Sequence, residues 1–172
     1  QGFIDELVNI SVQQLEMDQF VNKTLAIIKR HNLDRNVLEL EITEHAIMQD
    51  MEKAIDTLSR LSHRGIRIAI DDFGTGYSSL GYLQSLPINT LKMDRSFVEG
   101  IKSKGDNSIV TAIISMARGL NLDLIAEGVE SQTQIDQLNS AGCHLAQGFF
   151  YSRPLPEDEF LQMVKSQPNS IN

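Results

Sequence analysis

The sequence contains a single cysteine, Cys143, and no tryptophan among its 172 residues. One cysteine excludes an intramolecular disulfide and a zinc site built from several cysteines, and it is typical of proteins from a reducing compartment. Long apolar runs are missing as well, since no stretch of about 18 apolar residues predicts a membrane-spanning helix. We therefore expect a cytoplasmic protein or the cytoplasmic domain of a membrane-anchored sensor.

Basic residues are few. The chain carries 15 Lys and Arg against 23 Asp and Glu, which gives a net charge of −8. This balance argues against binding of DNA or RNA polymers, which requires clustered basic side chains. An acidic protein can still bind an anionic ligand through divalent cations. The length and the 41% of apolar residues suit one domain with a real core, which we place at residues 1–166, with 167–172 as a tail.

Short apolar runs alternate with amphipathic segments along the chain. The runs predicted as strands are 6–11, 36–43, 66–70, 88–93, 122–128 and 144–148. The segments predicted as helices are about 17–33, 48–63, 79–86, 106–119, 131–140 and 156–166. This alternation predicts an α/β fold in which parallel strands are joined by helical crossovers.

Polar residues follow the ends of these strands. They are Asn9, Glu41, Asp71, Asp72, Lys92, Asp94, Glu127 and Gln147. Parallel barrels and open α/β sheets both place their sites at the carboxyl ends of their strands, so these side chains should converge on one rim. The all-oxygen set formed by Asn9, Glu41, Asp71 and Asp72 is the kind that Mg²⁺ or Mn²⁺ prefers.

Two pairs of polar residues have alternative interpretations. Lys92 and Asp94 share a strand face, and they form either a salt bridge or a site where the lysine stabilises phosphate charge. Glu127 is predicted as a metal ligand or a general base. Glu130 has the weaker case, because a carboxylate at the start of a helix is also explained by the helix dipole.

The stretch "IDDFGTGYSSL" at 70–80 places two aspartates before a glycine-rich loop. Its Asp-Phe-Gly also occurs in protein kinases, but the other kinase motifs are missing, and no phosphate-binding P-loop sequence is present. Adjacent residues of an extended strand point to opposite faces, so Asp71 and Asp72 reach one metal centre only if the chain turns at the strand end. Gly74 and Gly76 would permit such a turn, or they are purely structural.

Six motifs, in this order, resemble those of the EAL-type cyclic di-GMP phosphodiesterases of bacteria. They are "NIS", "ELEITE", "IDDFGTGYSSL", "LKMDRSFV", "IAEGVE" and "QGFFYSRPLP", and the resemblance covers about residues 6–157. It implies a TIM-like (β/α) barrel that hydrolyses cyclic di-GMP to linear pGpG. The family's Glu-x-Leu motif does not occur before Asn9, so roughly the first two of the eight strands are expected to be lacking.

The resemblance also implies roles for individual residues. Asn9, Glu41 and Asp71 match ligands of one divalent metal, and Asp71 would bridge to a second metal held also by Asp72 and Glu127. Lys92 matches the lysine beside the attacking water and the scissile phosphate. Glu44 matches a glutamate that anchors the glycine loop, while Asp94, Glu130 and Gln147 match residues that line the substrate site.

The same resemblance implies partners. The ligand would be cyclic di-GMP, the domain would form a homodimer, and it would be fused to or regulated by a sensory or cyclase domain. A competing interpretation is a catalytically inactive module that binds cyclic di-GMP or a protein partner in signalling; a non-functional fragment of a larger sensor is a third. The ligand residues favour the enzyme, and the missing Glu-x-Leu favours the binding module.

Overall fold

The computed structural model describes residues 6–35, 38–74, 80–101 and 107–166. Several predictions lie outside these residues. They concern the start of the second strand at 36–37, the loop 75–79 with Gly76, the first residues of the helices at 79 and 106, and the tail 167–172. The domain limits 1–166 therefore stay a prediction.

All six predicted strands are present in the described residues, and they form one parallel sheet in chain order. The strands are β1 (Glu6–Asn9), β2 (Leu38–Thr43), β3 (Arg67–Phe73), β4 (Thr90–Met93), β5 (Asp123–Ala126) and β6 (Leu145–Ala146). Because neighbouring strands are parallel and consecutive, every carboxyl end faces the same rim. The predicted fold class is confirmed in this respect.

Nine helices lie between or after the strands in the described part of the chain. They are α1 (Val12–Glu16), α2 (Phe20–His31), α3 (Glu44–Gln49), α4 (Met51–Ser62), α5 (Leu80–Leu83), α6 (Arg95–Glu99), α7 (Ser108–Gly119), α8 (Gln132–Ala141) and α9 (Glu157–Ser166). Among these helices, none is long and apolar enough to cross a membrane.

Three short helices were not predicted from the sequence, namely α1, α3 and α6. Five or six residues contain too few apolar positions to show a helical period, so only their capping residues indicate them. The Thr43 hydroxyl accepts from the Ala46 amide at 3.3 Å and begins α3, while the Asp94 carboxylate accepts from the Ser96 amide at 2.9 Å and begins α6. The helix expected to start at 48 is α4, which starts at Met51, and the separate short helix α3 precedes it from Glu44.

The sheet is apolar on its helix-facing side and polar on the other. Ile42, Ile68, Ile70 and Leu91 are fully buried within the main core cluster. On the opposite side of β2, Glu39 and Glu41 are also buried, so both faces of this strand are buried. Buried charges require partners, and the inner face supplies them.

A first set of partners lies at the amino-terminal ends of the strands. Thr90 donates a hydrogen bond of 2.6 Å to Glu39, and the Arg67 guanidinium lies 3.5 Å from Glu39 and 2.7 Å from Asp123. This network connects β2, β3, β4 and β5. It forms a polar layer beneath the site, because Glu39 precedes Glu41 by two residues on β2 and Thr90 precedes Lys92 by two residues on β4.

Candidate active site

The strand register brings the predicted site residues to one rim. Asn9 pairs with Glu41 across β1 and β2, and Thr43 pairs with Asp71 across β2 and β3. Residues in register on parallel strands point to the same side of the sheet. Asn9 is exposed, whereas Glu41 is buried. The sheet therefore places the amide at the open edge of the site and the carboxylate in its floor.

Lys92 lies at the centre of the site. Its Nζ atom is 2.6 Å from Oε1 of Glu41, 2.7 Å from Oε1 of Glu127 and 3.2 Å from Oδ1 of Asp71. Only 3% of this lysine is exposed. The alternative of a salt bridge between Lys92 and Asp94 is therefore wrong. Within the described residues, the ion-pair partners of Lys92 come from β2, β3 and the segment after β5.

The surroundings of Lys92 and Glu127 raise the pKa of both side chains. Burial by itself lowers the pKa of Lys92, but the hydrogen bonds to Glu127 and Glu41 and the nearby carboxylate charges outweigh it, so the pKa is raised and the ammonium stays protonated. Burial raises the pKa of Glu127, and the charges of Asp71 and Glu41 add to this, while Lys92 opposes it. An additional cation beside Glu127 would favour its ionised form.

The carboxylates of Asp71 and Asp72 come together through a backbone conformation that differs from the predicted turn. The strand continues through both residues to Phe73, and Asp72 itself adopts a left-handed conformation with φ of 54°. The β3–β4 register shifts between Ile70 and Phe73, as in a β-bulge. The turn expected from the glycines is therefore a bulge at Asp72, followed by Gly74 with φ of 97°.

The bulge gathers three carboxylates. Oxygen atoms of Asp71, Asp72 and Glu127 all lie within 4.8 Å of one another. Burial raises the pKa of Asp72, and repulsion from Asp71 and Asp94 raises it further. Adjacent carboxylates at this distance repel each other unless protons or cations intervene.

The donor set fits a divalent cation. Three carboxylates (Glu41, Asp71 and Glu127) contact the ammonium of Lys92, and Asp72 lies beside two of them. In this cluster of described residues one ammonium therefore faces four carboxylates, which carry uncompensated negative charge when ionised. All the donors are carboxylate oxygen atoms, the ligand type that hard cations such as Mg²⁺ and Mn²⁺ prefer. A divalent metal at this site would be held by these residues.

Glu44 anchors the segment that follows the aspartates. It is 2% exposed; one carboxylate oxygen accepts a 3.1 Å hydrogen bond from the Gly74 amide, and the other accepts a 2.7 Å bond from the Tyr82 hydroxyl. Tyr82 was not among the predicted site residues. Its only sequence signal was a tyrosine on an otherwise apolar short helix, which is equally explained by packing.

The remaining predicted residues lie around the rim. Asp94 caps α6, and Glu130 forms an ion pair of 3.2 Å with Arg95. The main chain of Gln147 accepts from the Val129 amide at 3.0 Å and donates to Ala126 at 2.8 Å, while the residue itself is exposed.

Comparison with known proteins identifies the family. The sequence profile of the EAL domain matches residues 3–154. The chain belongs to the EAL domain family. The solved EAL domain of Mycobacterium smegmatis DcpA is 43% identical, with a TM-score of 0.88 over 94% of this chain and 73% of that one. The PaMucR phosphodiesterase, solved as a c-di-GMP complex, is 41% identical, with a TM-score of 0.85 over 91% of this chain and 70% of that one.

Curated relatives agree with this assignment. The cyclic di-GMP phosphodiesterase NbdA of Pseudomonas aeruginosa is 43% identical over 162 residues, which are 92% of this EAL domain chain and 21% of NbdA. A Mycobacterium tuberculosis relative is likewise matched over only 26% of its length. The described parallel sheet with its helices matches the TIM-like barrels of the solved EAL domains. The expectations of fold and family are thereby confirmed.

Proposed function

We propose that the protein is a metal-dependent phosphodiesterase that hydrolyses cyclic di-GMP to linear pGpG. The single observation that carries the proposal is the convergence of Asp71, Asp72 and Glu127 within 4.8 Å, beside the buried Lys92. The substrate class comes from two relatives, NbdA and PaMucR, which are phosphodiesterases linked to cyclic di-GMP.

The proposal assigns two metal positions to these residues. Asn9, Glu41 and Asp71 would hold one Mg²⁺ or Mn²⁺, while Asp71, Asp72 and Glu127 would hold the second. Bound divalent ions neutralise a phosphodiester and lower the pKa of a coordinated water. Their positive charge also offsets the repulsion between the adjacent aspartates.

Lys92 would act on the substrate. Its ammonium stays protonated because of its carboxylate neighbours, and it can stabilise the negative charge that develops on the phosphate during in-line attack. Glu127 would orient the attacking water or accept its proton. Asp94, Glu130 and Gln147 would line the nucleotide site at the rim.

The test uses the protein at its full natural length. Incubation with cyclic di-GMP and Mg²⁺ or Mn²⁺ should yield pGpG, as resolved by ion-exchange chromatography, and EDTA should stop the reaction. Tight binding of cyclic di-GMP without any turnover would instead establish the binding-module interpretation. Turnover that survives exhaustive chelation would overturn the metal-dependent mechanism.

Further assignments extend the proposal to the cellular setting. We place the domain in the cytoplasm, where the reduced thiol of Cys143 is compatible with its surroundings. A sensory or cyclase domain in the same protein would regulate it, and the domain would act as a homodimer. Size-exclusion chromatography with light scattering tests the last point.

A further inference from the structure

Two glycines follow the acidic site residues, and each is packed against a side chain of α6. A Cβ atom built at Gly74 would lie 2.6 Å and 2.7 Å from ring carbons of Phe97. A Cβ atom built at Gly128 would lie 2.8 Å from Cβ and from Cδ of Arg95. Gly74 comes two residues after Asp72, and Gly128 comes directly after Glu127.

The guanidinium of Arg95 makes a second contact with the same loop. It lies 3.2 Å from the carboxylate of Glu130, and its Nε atom pairs with Glu99 one turn further along α6. The aliphatic part of Arg95 thus covers Gly128, while its charged end is fixed between a carboxylate of the loop and one of its own helix. The residues 127–130 form no helix or strand, so such contacts determine their conformation.

A third contact joins the end of α6 to this loop. The side chain of Gln134 donates a hydrogen bond of 3.1 Å to the carbonyl of Val98 and accepts one of 2.8 Å from the Glu130 amide. On its other side, the loop is fixed by the main chain, since the Val129 amide donates to Gln147 at 3.0 Å. The segment that carries Glu127 is therefore held between α6 and the chain after β6.

We propose that α6 is the common support of the two segments that carry the acidic ligands, with Arg95 and Phe97 as positioning residues. Arg95 holds residues 127–130 so that Glu127 points toward Lys92 and Asp71, and Phe97 holds the main chain at Gly74 after the Asp72 bulge. This inference rests on the proposed function for the identity of the ligands, but the contacts themselves do not require it. Side chains that orient metal ligands without touching the metal commonly change affinity by about 10- to 100-fold.

The experiment compares Arg95→Ala, Arg95→Lys, Phe97→Ala and Phe97→Leu with the natural protein at full length. Arg60→Ala is the matched control, because Arg60 forms an exposed i,i+4 ion pair with Asp56 on α4, as Arg95 does with Glu99 on α6. Hydrogen–deuterium exchange of metal-free protein reports on peptides covering 71–74 and 127–131. Electron paramagnetic resonance of free Mn²⁺ gives the metal affinity, and urea unfolding reports global stability.

We expect Arg95→Ala to accelerate exchange in 127–131 and to weaken Mn²⁺ binding about 10- to 100-fold at an unchanged urea midpoint. Arg95→Lys should recover part of both losses, because the lysine stem still covers Gly128. Phe97→Ala should accelerate exchange in 71–74, and Phe97→Leu should act in the same direction but less. Exchange rates and Mn²⁺ affinity equal to those of Arg60→Ala would overturn the inference.

The two proposals fail in different ways. A protein without phosphodiesterase activity refutes the proposed function, while the exchange of the metal-free loops still decides the role of α6. A fully active protein whose loops are unaffected by Arg95→Ala and Phe97→Ala refutes only the role of α6.

Discussion

The hydroxyl of Tyr82 donates a hydrogen bond of 2.7 Å to the buried carboxylate of Glu44. The other carboxylate oxygen of Glu44 accepts from the Gly74 amide. One side chain therefore connects the start of α3, the short helix α5 and the chain just beyond the aspartates. We therefore expect that Glu44 holds the site together without being a metal ligand.

Replacing Glu44 by alanine should disorder the segment after Asp72. The mutation removes the acceptor of the hydrogen bonds from the Tyr82 hydroxyl and the Gly74 amide, and the loss of these bonds should cost about 1–3 kcal/mol in total. Tyr82→Phe removes the bond from the hydroxyl and keeps the bond from the Gly74 amide, so it should cost about 1 kcal/mol. Urea unfolding measures both, and Mn²⁺ affinity should fall in the same order. If Glu44→Ala keeps the stability and metal affinity of the natural protein, Glu44 has no anchoring role.

Asp71 and Asp72 should differ in their effects on activity. Asp71 would bridge two metals, and Asp71→Asn should therefore lower kcat/KM by more than the about 100-fold typical of outer ligand partners. Asp72→Asn should lose most of the second metal while the first stays bound. Isothermal titration with Mn²⁺ counts the sites. Equal stoichiometry in Asp72→Asn and the natural protein would exclude this division of roles.

Metal should stabilise the domain through the same residues. A ligand at 100 times its Kd stabilises a fold by about 2.7 kcal/mol. We expect Mg²⁺ or Mn²⁺ to raise the Tm of the natural protein, and to raise it less in Asp71→Asn and in Asp72→Asn. A Tm that millimolar levels of both ions leave unchanged would refute the metal site.

Asp72 should reduce the stability of the metal-free protein at neutral pH. Its folded-state pKa lies above the ordinary value of 3.8, so the fold binds its proton more tightly than the unfolded chain does. The resulting stability is fully present below pH 3.8 and is lost as the pH rises through the folded-state pKa. Metal-free Asp72→Asn should therefore be more stable than the natural protein at pH 7, and this difference should vanish toward pH 3.

Urea midpoints between pH 3 and pH 8 measure this effect. Asp56→Asn is the control, because Asp56 is an exposed carboxylate paired with Arg60 on α4. It should show no gain in stability at pH 7. A metal-free Asp72→Asn protein that is less stable than the natural one at pH 7 would show that the aspartate pair is not destabilising.

Lys92 should be the main counterion of the site when no metal is bound. Removing one partner of a buried ion pair typically costs about 3–5 kcal/mol, because the remaining charges stay buried. We expect Lys92→Met to unfold at much lower urea without metal, to regain part of the loss when Mg²⁺ is added, and to lack activity. Unchanged stability in EDTA would mean that Glu41 and Glu127 are not held by this lysine.

Strand positions were predictable because a buried parallel strand requires a short apolar run at a regular interval. Each of β1 to β6 overlaps its predicted run. Of the polar residues at the strand ends, the contacts bring together Glu41, Asp71, Asp72, Lys92 and Glu127. The hydrophobic period did not reveal the short helices α1, α3 and α6. The last has only five residues, and it packs against Gly74 and Gly128, which are far from it in sequence.

The sequence by itself determined the family, the parallel α/β sheet and the identity of the acidic side chains, because motif order and hydrophobic period are local properties of the chain. Only the tertiary structure decided how these side chains meet. The bulge at Asp72 depends on how β3 pairs with β4, while the three carboxylates around Lys92 and the α6 contacts to both loops join residues from different strands and loops. Such contacts arise from register and packing, which no local pattern encodes.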